Sequence, residues 1–350
     1  MEDVVVVGAG LSGLTAAHAL HQANYRVVVV DKSRGLGGRV ATRRIGNTVV
    51  DHGCRYLQPF DDPHLSPIPD LLAAGVLQPW QPERFDLGDD GVLTATAPGT
   101  LYAASQGMSA IAKGLAQGLT IHRHWRATAI TPLPQGWRIE GEALGEPSKG
   151  KPSALEARSI VVAIPAPQAA ALLRTAQDCE EVHTLLHQLQ QVDFEAVITV
   201  MAGYTLAQAA NLPIQTGSGG WMVTSQTHPT LRWMALDSSK RTAPEEAVAV
   251  IHSTSTVASN ALSDIDLDPV GQALLSEAAK MGAWMGSPQW MQVHRWRYGF
   301  VRQTLNASIL SNPKLPNLVG CGDWCNGGNA EGAIASGRAA AAALVKTLGS

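Results

Sequence analysis

Residues 4–7 are four consecutive valines, an apolar run without alternation, which is the pattern of a strand covered on both faces. Residues 11–23 are rich in alanine and leucine and predict a helix, and residues 26–30 predict a second valine strand. The chain therefore opens on a βαβ unit of about thirty residues. The pattern then changes: residues 32–42 are rich in glycine and arginine, 48–52 predict a short strand, and 59–90 are rich in proline and aspartate. That last stretch reads as a first excursion out of the opening lobe. Further on, 106–118 predict a helix, 119–122 a strand, and 125–131 with 136–142 the arms of a hairpin. Residues 145–153 are polar and predict an exposed loop, and 158–164 form another apolar strand, ended by Pro165-Ala166-Pro167.

From 167 to 309 the pattern is longer and mixed. A helix is expected near 168–174, strands at 195–202, 230–237, 247–254 and 291–298, and a helix at 268–281. This is the signature of an α+β lobe on a mainly antiparallel sheet. The expected division is a discontinuous first lobe of residues 1–60, 102–166 and 310–350, with a second lobe of 61–101 and 167–309.

Composition narrows the class. In 350 residues, 45% are apolar and 16% charged, which suits two packed lobes rather than a disordered chain. The formal charge is −3, with no basic run, so nucleic acid is not an expected partner. Cys54, Cys179, Cys321 and Cys325 lack ligand spacing, so no metal site is expected. Few cysteines, the acidic start Glu2-Asp3 and the lack of a long uncharged apolar stretch lead to a cytoplasmic, membrane-free expectation. Oligomeric state stays open between monomer and dimer.

The chemistry lies at the two ends. Gly8-Ala9-Gly10-Leu11-Ser12-Gly13 follows the first strand. There Gly8 permits the tight turn, Gly10 lets the backbone approach a pyrophosphate, and Gly13 allows close helix–strand packing; the helix N-terminus favours the negative charge. Asp31, with Lys32 after it, ends the second strand and can accept ribose hydroxyls. Arg34-Gly35-Leu36-Gly37-Gly38-Arg39-Val40-Ala41-Thr42 then brings adjacent glycines and an arginine suited to a pyrophosphate. Near the other end, Gly322-Asp323 offers a carboxylate for a ribityl hydroxyl, and Glu331-Gly332-Ala333 opens a helix able to aim its N-terminus at a flavin N1–C2=O edge. The first motif alone fits NAD or FAD; both ends together point to FAD. The candidate cofactor set is completed by Gly53, Cys54, Arg55, Tyr56 and Ala127. Binding is expected to be non-covalent, with Cys54 keeping attachment open.

These motifs resemble the renalase family, within the larger amine-oxidase-like group of FAD proteins. Val50-Asp51-His52-Gly53-Cys54-Arg55-Tyr56 resembles the family's Asp-x-Gly-Ala-Gln-Tyr segment, which lines the flavin. His294-Arg295-Trp296-Arg297-Tyr298 resembles its His-Arg-Trp-Arg-Tyr strand, and Asp237-Ser238-Ser239-Lys240-Arg241 its Lys-Pro-Gly-Arg loop. The departures are Cys54 for Ala, Arg55 for Gln, and Thr242 and Ala243 in the loop. The resemblance implies an α/β fold: a Rossmann-type FAD-binding lobe of the glutathione-reductase/p-hydroxybenzoate-hydroxylase kind, beside the α+β lobe.

It also implies an activity, oxidation of aberrant dihydronicotinamides such as 2- or 6-dihydro-NAD(P) and α-NAD(P)H. A hydride would pass to flavin N5, and dioxygen would return the flavin, giving β-NAD(P)+ and hydrogen peroxide. Tyr56, Trp296 and Tyr298 are then candidates for positioning the ring, Arg55 and Arg297 for polar or phosphate contacts, and Trp233, Trp296 and Trp324 for places near the flavin. With period 2, His294, Trp296 and Tyr298 share one strand face and Arg295 and Arg297 the other; a lobe core with solvated arginines is the plainer alternative. His52, His122 and His252 read as structural. Two other functions stay open: a flavin amine oxidase or related dehydrogenase, for which no second aromatic wall opposite Tyr298 is evident, and an FAD- or NADP-binding regulator without turnover.

Overall fold

The fold is seen in a computed structural model that describes residues 1–60, 66–145, 152–176, 178–209 and 220–349. The chain divides into two compact units: residues 1–40, 111–194 and 301–350 form the first, and 41–110 with 195–300 the second. Residues 41–60 and 102–110, expected with the cofactor lobe, fall in the second unit, and 167–194 with 301–309 fall in the first. Within the expected loop at 145–153, residues 146–151 lie outside the described residues.

The first unit is built on the valine runs. Glu2–Val7 pairs in parallel with Val27–Val30 on one side and Ala154–Val162 on the other. Thr120–His122 extends the sheet beyond Val27–Val30, and Leu318–Gly320 pairs with Ala154–Val162, both in parallel. The antiparallel hairpin Trp125–Leu133 and Gly136–Ala143 completes seven strands. Parallel pairing explains why these strands lack alternation: Val4, Val5, Val6 and Val29 are all fully buried, with both sheet faces covered. The helices Leu11–Gln22 and Ala330–Gly349 lie close together, because Gly337 has no side chain to strike the Ser12 carbonyl. Two helices that cover the hairpin's apolar surface, Ala166–Leu173 and Glu180–Leu189, pack Leu173 and Leu185 against Trp125, Ile130 and Ile139.

The second unit holds a seven-stranded sheet, mostly antiparallel, with strand order Trp290–Gln303, Asp193–Tyr204, Ala247–Ser253, Leu231–Leu236, Trp221–Thr224, Glu83–Leu87 and Leu93–Ala95. Trp221–Thr224, however, runs parallel to Glu83–Leu87. The helix Asp268–Ala278 buries Leu274, Leu275 and Ala278 among Ile198, Val200 and Ile251 of this sheet. Two short hairpin-like pairs complete the unit, Thr42–Ile45 with Thr48–Asp51 and Gln78–Trp80 with Leu101–Ala103. The second lobe is thus a sheet-based α+β body, and the fold is α/β with a Rossmann-type first lobe.

Candidate functional site

In the first unit the strand Glu2–Val7 passes through Gly8-Ala9-Gly10 into the helix starting at Leu11. Gly8 has φ 113°, a conformation open to glycine, and a Cβ there would strike the Ala163 carbonyl. At Gly13 a Cβ would strike the Gly8 carbonyl oxygen, so helix and turn meet as closely as the motif requires. Gly10, by contrast, has open space where a side chain would stand, which leaves the first turn of the helix approachable. Leu11 and Ser12 open the helix with buried side chains.

Asp31 holds this turn together. Its carboxylate accepts the Ala9 N–H and the Ser33 N–H, both at 2.6 Å. A carboxylate offers about four acceptor directions, so capacity remains for ribose hydroxyls. Gly37 donates its N–H to the Ala9 carbonyl at 2.8 Å, bringing the second glycine-rich segment against the first. Lys32 is exposed and reaches Gln168 at 3.5 Å. Ala127 stands at a bulge in its hairpin arm and packs against the core.

The second half of this site comes from the far end of the chain. Arg39 donates two bonds to Asp323, at 2.7 and 2.6 Å, the carboxylate being nearly buried. Each residue was expected to meet the cofactor; the structure pairs them with each other first. Gly322 donates its N–H to Ser336 Oγ at 3.1 Å, which ties the Gly322-Asp323 turn to the helix Ala330–Gly349. Glu331, Gly332 and Ala333 form the first turn of that helix, capped by the Asn329 side chain, which accepts the Gly332 N–H at 2.8 Å. Trp324, expected near a flavin ring, packs in the core of this unit at 1% exposure, its indole N–H donating to the Ile164 carbonyl at 3.1 Å. Turn, acid, twin glycines and C-terminal carboxylate lie in one unit, and the chemistry of this set suits FAD: an approachable helix N-terminus suits a pyrophosphate, and the Asp31 carboxylate keeps acceptor capacity for sugar hydroxyls.

Gly53, Cys54, Arg55 and Tyr56 belong to the second unit. Their segment starts at Asp51, which is buried in a four-charge network. Asp51 accepts bonds from the Met108 N–H, the Thr42 hydroxyl and the Arg241 guanidinium, each at 2.8 Å. Lys240, with no exposed side-chain surface, donates to Asp237 at 2.6 Å and stands 3.6 Å from Asp51. Arg241 also donates to Asp237, at 2.9 Å. Burial pushes the Asp51 carboxyl up, but the charges of Lys240 and Arg241 outweigh it and leave the group below its ordinary value. Two acids and two bases balance, which is what makes the burial of all four tolerable. Sequence reasoning missed this network as a functional support. The signal was Asp237 standing three and four residues before Lys240 and Arg241.

Beside this network lies a ring cluster. His294 and Trp296, on one face of Trp290–Gln303, have ring centroids 4.4 Å apart, and the His52 ring lies 5.0 and 5.2 Å from them. Trp296 donates its indole N–H to the His52 carbonyl at 3.0 Å. Burial, with help from the nearby Arg43 charge, lowers both His52 and His294 to about 4, so both rings are neutral at neutral pH. His52 was read as structural and His294 only as a face-mate of Trp296; the fold gathers them. On the opposite face Arg295 donates to the Ala261 and Asp264 carbonyls at 2.8 Å and Arg297 to the Leu262 carbonyl at 3.5 Å. Those guanidiniums therefore cap backbone carbonyls. Tyr298 shares the strand with Trp296, and Trp233 is buried at 2% exposure. Among the described residues no group of His, Cys, Asp or Glu could hold a metal ion, and no helix is long and apolar enough to cross a membrane.

The chain matches the NAD(P)-binding Rossmann-like domain over residues 6–70 and the flavin containing amine oxidoreductase family over residues 86–345. It belongs to the flavin containing amine oxidoreductase family. FAD is the cofactor that this membership brings, and the first unit is built for it. Cyclohexylamine oxidase from Brevibacterium oxydans superposes over 100% of both chains with a TM-score of 0.75 at 14% identity. A putrescine oxidase variant gives 0.73 over 99% of both chains, also at 14% identity. Such identities speak for the shared fold. An L-amino acid dehydrogenase from Synechocystis is 32% identical over 101 residues, 29% of this chain and 20% of that protein. Amine oxidase B from Cavia porcellus is 48% identical over 58 residues, 16% of this chain and 11% of that protein. The matched stretches thus span a fifth or less of these relatives' lengths.

Proposed function

We propose that the chain is an FAD-dependent oxidoreductase that takes a hydride from a small reduced substrate and passes the electrons to dioxygen. The observation that carries this reading is the assembly of Gly8-to-Gly13, Asp31 and the Arg39–Asp323 pair in one unit. When bound, FAD supplies a ring that accepts a hydride and is reoxidised by oxygen.

The chain's own residues contribute binding and exclusion of water. The ring cluster of the second unit is aromatic and uncharged at neutral pH, with the His52 and Trp296 rings stacked and the His294 ring edge-on to both, because burial keeps His52 and His294 deprotonated. A dihydronicotinamide ring suits such a surface, since its hydride loss is driven by aromatisation and asks for little proton transfer. With that substrate, the finer reading is a renalase-like oxidase of 2- or 6-dihydro-NAD(P) and α-NAD(P)H, giving β-NAD(P)+ and hydrogen peroxide. Its support is the resemblance of His294-Arg295-Trp296-Arg297-Tyr298 and Val50-to-Tyr56 to renalase segments.

Oxidation of an amine has equal support. The family match and the fold shared with cyclohexylamine oxidase favour it. Anaerobic stopped-flow reduction of the purified yellow protein separates the two. Fast bleaching by 6-dihydro-NAD(P) but not by β-NAD(P)H or amines supports the dihydronicotinamide reading. Bleaching by amines alone replaces it, and bleaching by no reductant overturns the oxidoreductase reading.

A further inference from the structure

In the second unit one guanidinium, that of Arg55, has no acid partner among the described residues. Arg55 is half-buried, with its Cζ 4.7 Å from the centroid of Trp233, 5.4 Å from Tyr56 and 5.6 Å from Phe300. Among the described residues no carboxylate pairs with it and no hydrogen-bond acceptor engages it. Its neighbour makes the contrast. Arg232 stacks on the same Phe300 ring from the distance of 4.3 Å, yet Glu195 neutralises it. Of two arginines on one ring, only Arg55 keeps an unanswered charge.

Aromatic faces hold a guanidinium in place without neutralising it. Stacked in this way, the group retains its five N–H donors in a planar fork, the geometry that grips a carboxylate or phosphate. The wall next to it carries polar atoms that, among the described residues, have no hydrogen-bond partner. His252 is 1% exposed, with its ring 5.1 Å from Trp233 and 6.1 Å from Phe300. Neither ring nitrogen of His252 has a hydrogen-bond partner, nor does the Trp233 indole N–H. Burial, followed by the Arg55 and Arg232 charges, keeps His252 well below its ordinary value, so it adds polarity without adding a competing charge.

We propose that Arg55 is the anion-recognition residue of the substrate site, selecting substrates that carry a carboxylate or phosphate beside a flat, apolar body. This rests on the oxidoreductase reading above and narrows its substrate class. Simple monoamines and polyamines, cationic at neutral pH, meet a like charge here. Amino-acid-like or nucleotide-like reductants meet an opposite one.

Isothermal titration of the FAD-bound protein with benzoate, phenyl phosphate and uncharged benzamide tests it. The expected result is that at least one anion binds about tenfold or more tightly than benzamide. Arg55→Met removes that advantage, with both anions then binding no more tightly than benzamide, and Arg55→Lys restores part of it. The tighter of the two anions identifies the source as carboxylate or phosphate. Anions binding no better than benzamide to the unaltered protein, or equally well to an Arg55→Met protein that keeps its FAD, overturn the proposal. Because titration needs no turnover, its failure is separable from a failure of FAD to be reduced.

Discussion

The Arg39 guanidinium closes on the Asp323 carboxylate through two bonds, Nη1 to Oδ2 at 2.7 Å and Nη2 to Oδ1 at 2.6 Å, across 284 residues of sequence. The pair fastens the glycine-rich segment after the second strand to the turn before the last helix, so the two cofactor motifs share one rigid joint. Asp323→Ala leaves Arg39 without its main partner and removes a carboxylate from the cofactor site. Hydrogen bonds to charged groups contribute roughly 1.5–3 kcal/mol, so FAD affinity is expected to fall about tenfold or more. Arg39→Lys, which replaces a planar fork by a point charge, is expected to lose less. FAD content after gel filtration, read from the visible spectrum, checks both; unchanged retention in Asp323→Ala contradicts the role given to the joint.

Gly13 gives a second, steric prediction. Its missing side chain lets the helix Leu11–Gln22 approach the Gly8 carbonyl oxygen, and no flexible neighbour can make way for a methyl group there. Gly13→Ala is therefore expected to shift the turn and yield a colourless or poorly folded protein. Gly10→Ala, where the added carbon meets open space in the protein, should fold normally and lose affinity for FAD alone. Thermal unfolding with and without added FAD separates the two effects.

The contrast between the two units explains what could be read from sequence. The valine strands and the Gly8-to-Gly13 turn were legible because buried parallel strands and phosphate-binding turns leave local, contiguous patterns. Within the 59–90 stretch, read only as an excursion, Gln78–Trp80 and Glu83–Leu87 went unrecognised, as did Leu93–Ala95 just beyond it, since short strands containing or flanked by Pro79 and Pro82 carry little period-2 signal. The helix Glu180–Leu189 was also missed, although Val182, Leu185 and Leu189 recur at helical spacing. Site geometry was least legible. The strand face joining His294 to Trp296 followed from period 2, but the arrival of His52 at that face and of Arg55 on Trp233 depends on long-range packing.

The histidine pair carries a pH dependence with a definite sign. His52 and His294 lie at about 4 in the folded chain, against about 6.5 in an unfolded one. Between those values the unfolded state binds more protons, so folding stability falls as pH drops from about 6.5 toward 4 and is fully present above that window. Melting temperature measured from pH 8 to pH 4 should decline on the acid side, and His52→Gln should flatten part of the decline. Proton NMR of the His52 and His294 ring resonances, assigned by His52→Gln and His294→Gln, offers a direct reading; either of these two titrating near 6.5 contradicts the burial argument.

The buried network supplies the largest expected loss of stability. Lys240 and both its acid partners have no exposed side-chain surface, and Arg241 has little. Lys240→Met leaves Asp51 and Asp237 with Arg241 alone, an uncompensated negative charge in the interior, which costs about 3–5 kcal/mol. Adding Asp237→Asn to that variant restores the balance of one acid and one base, so the double variant should recover part of the loss; simple additivity of the two changes would refute the coupling. The network also adds an acid-side term. Asp51 ionises below its ordinary value in the folded chain, so its contribution is present above about 3.9 and disappears as pH falls through the folded value. Removing Lys240 takes away one of the charges that lower Asp51, so in Lys240→Met this acid-side contribution shrinks, and the variant's stability should fall less steeply than the parent's when urea unfolding is carried from pH 7 into acid.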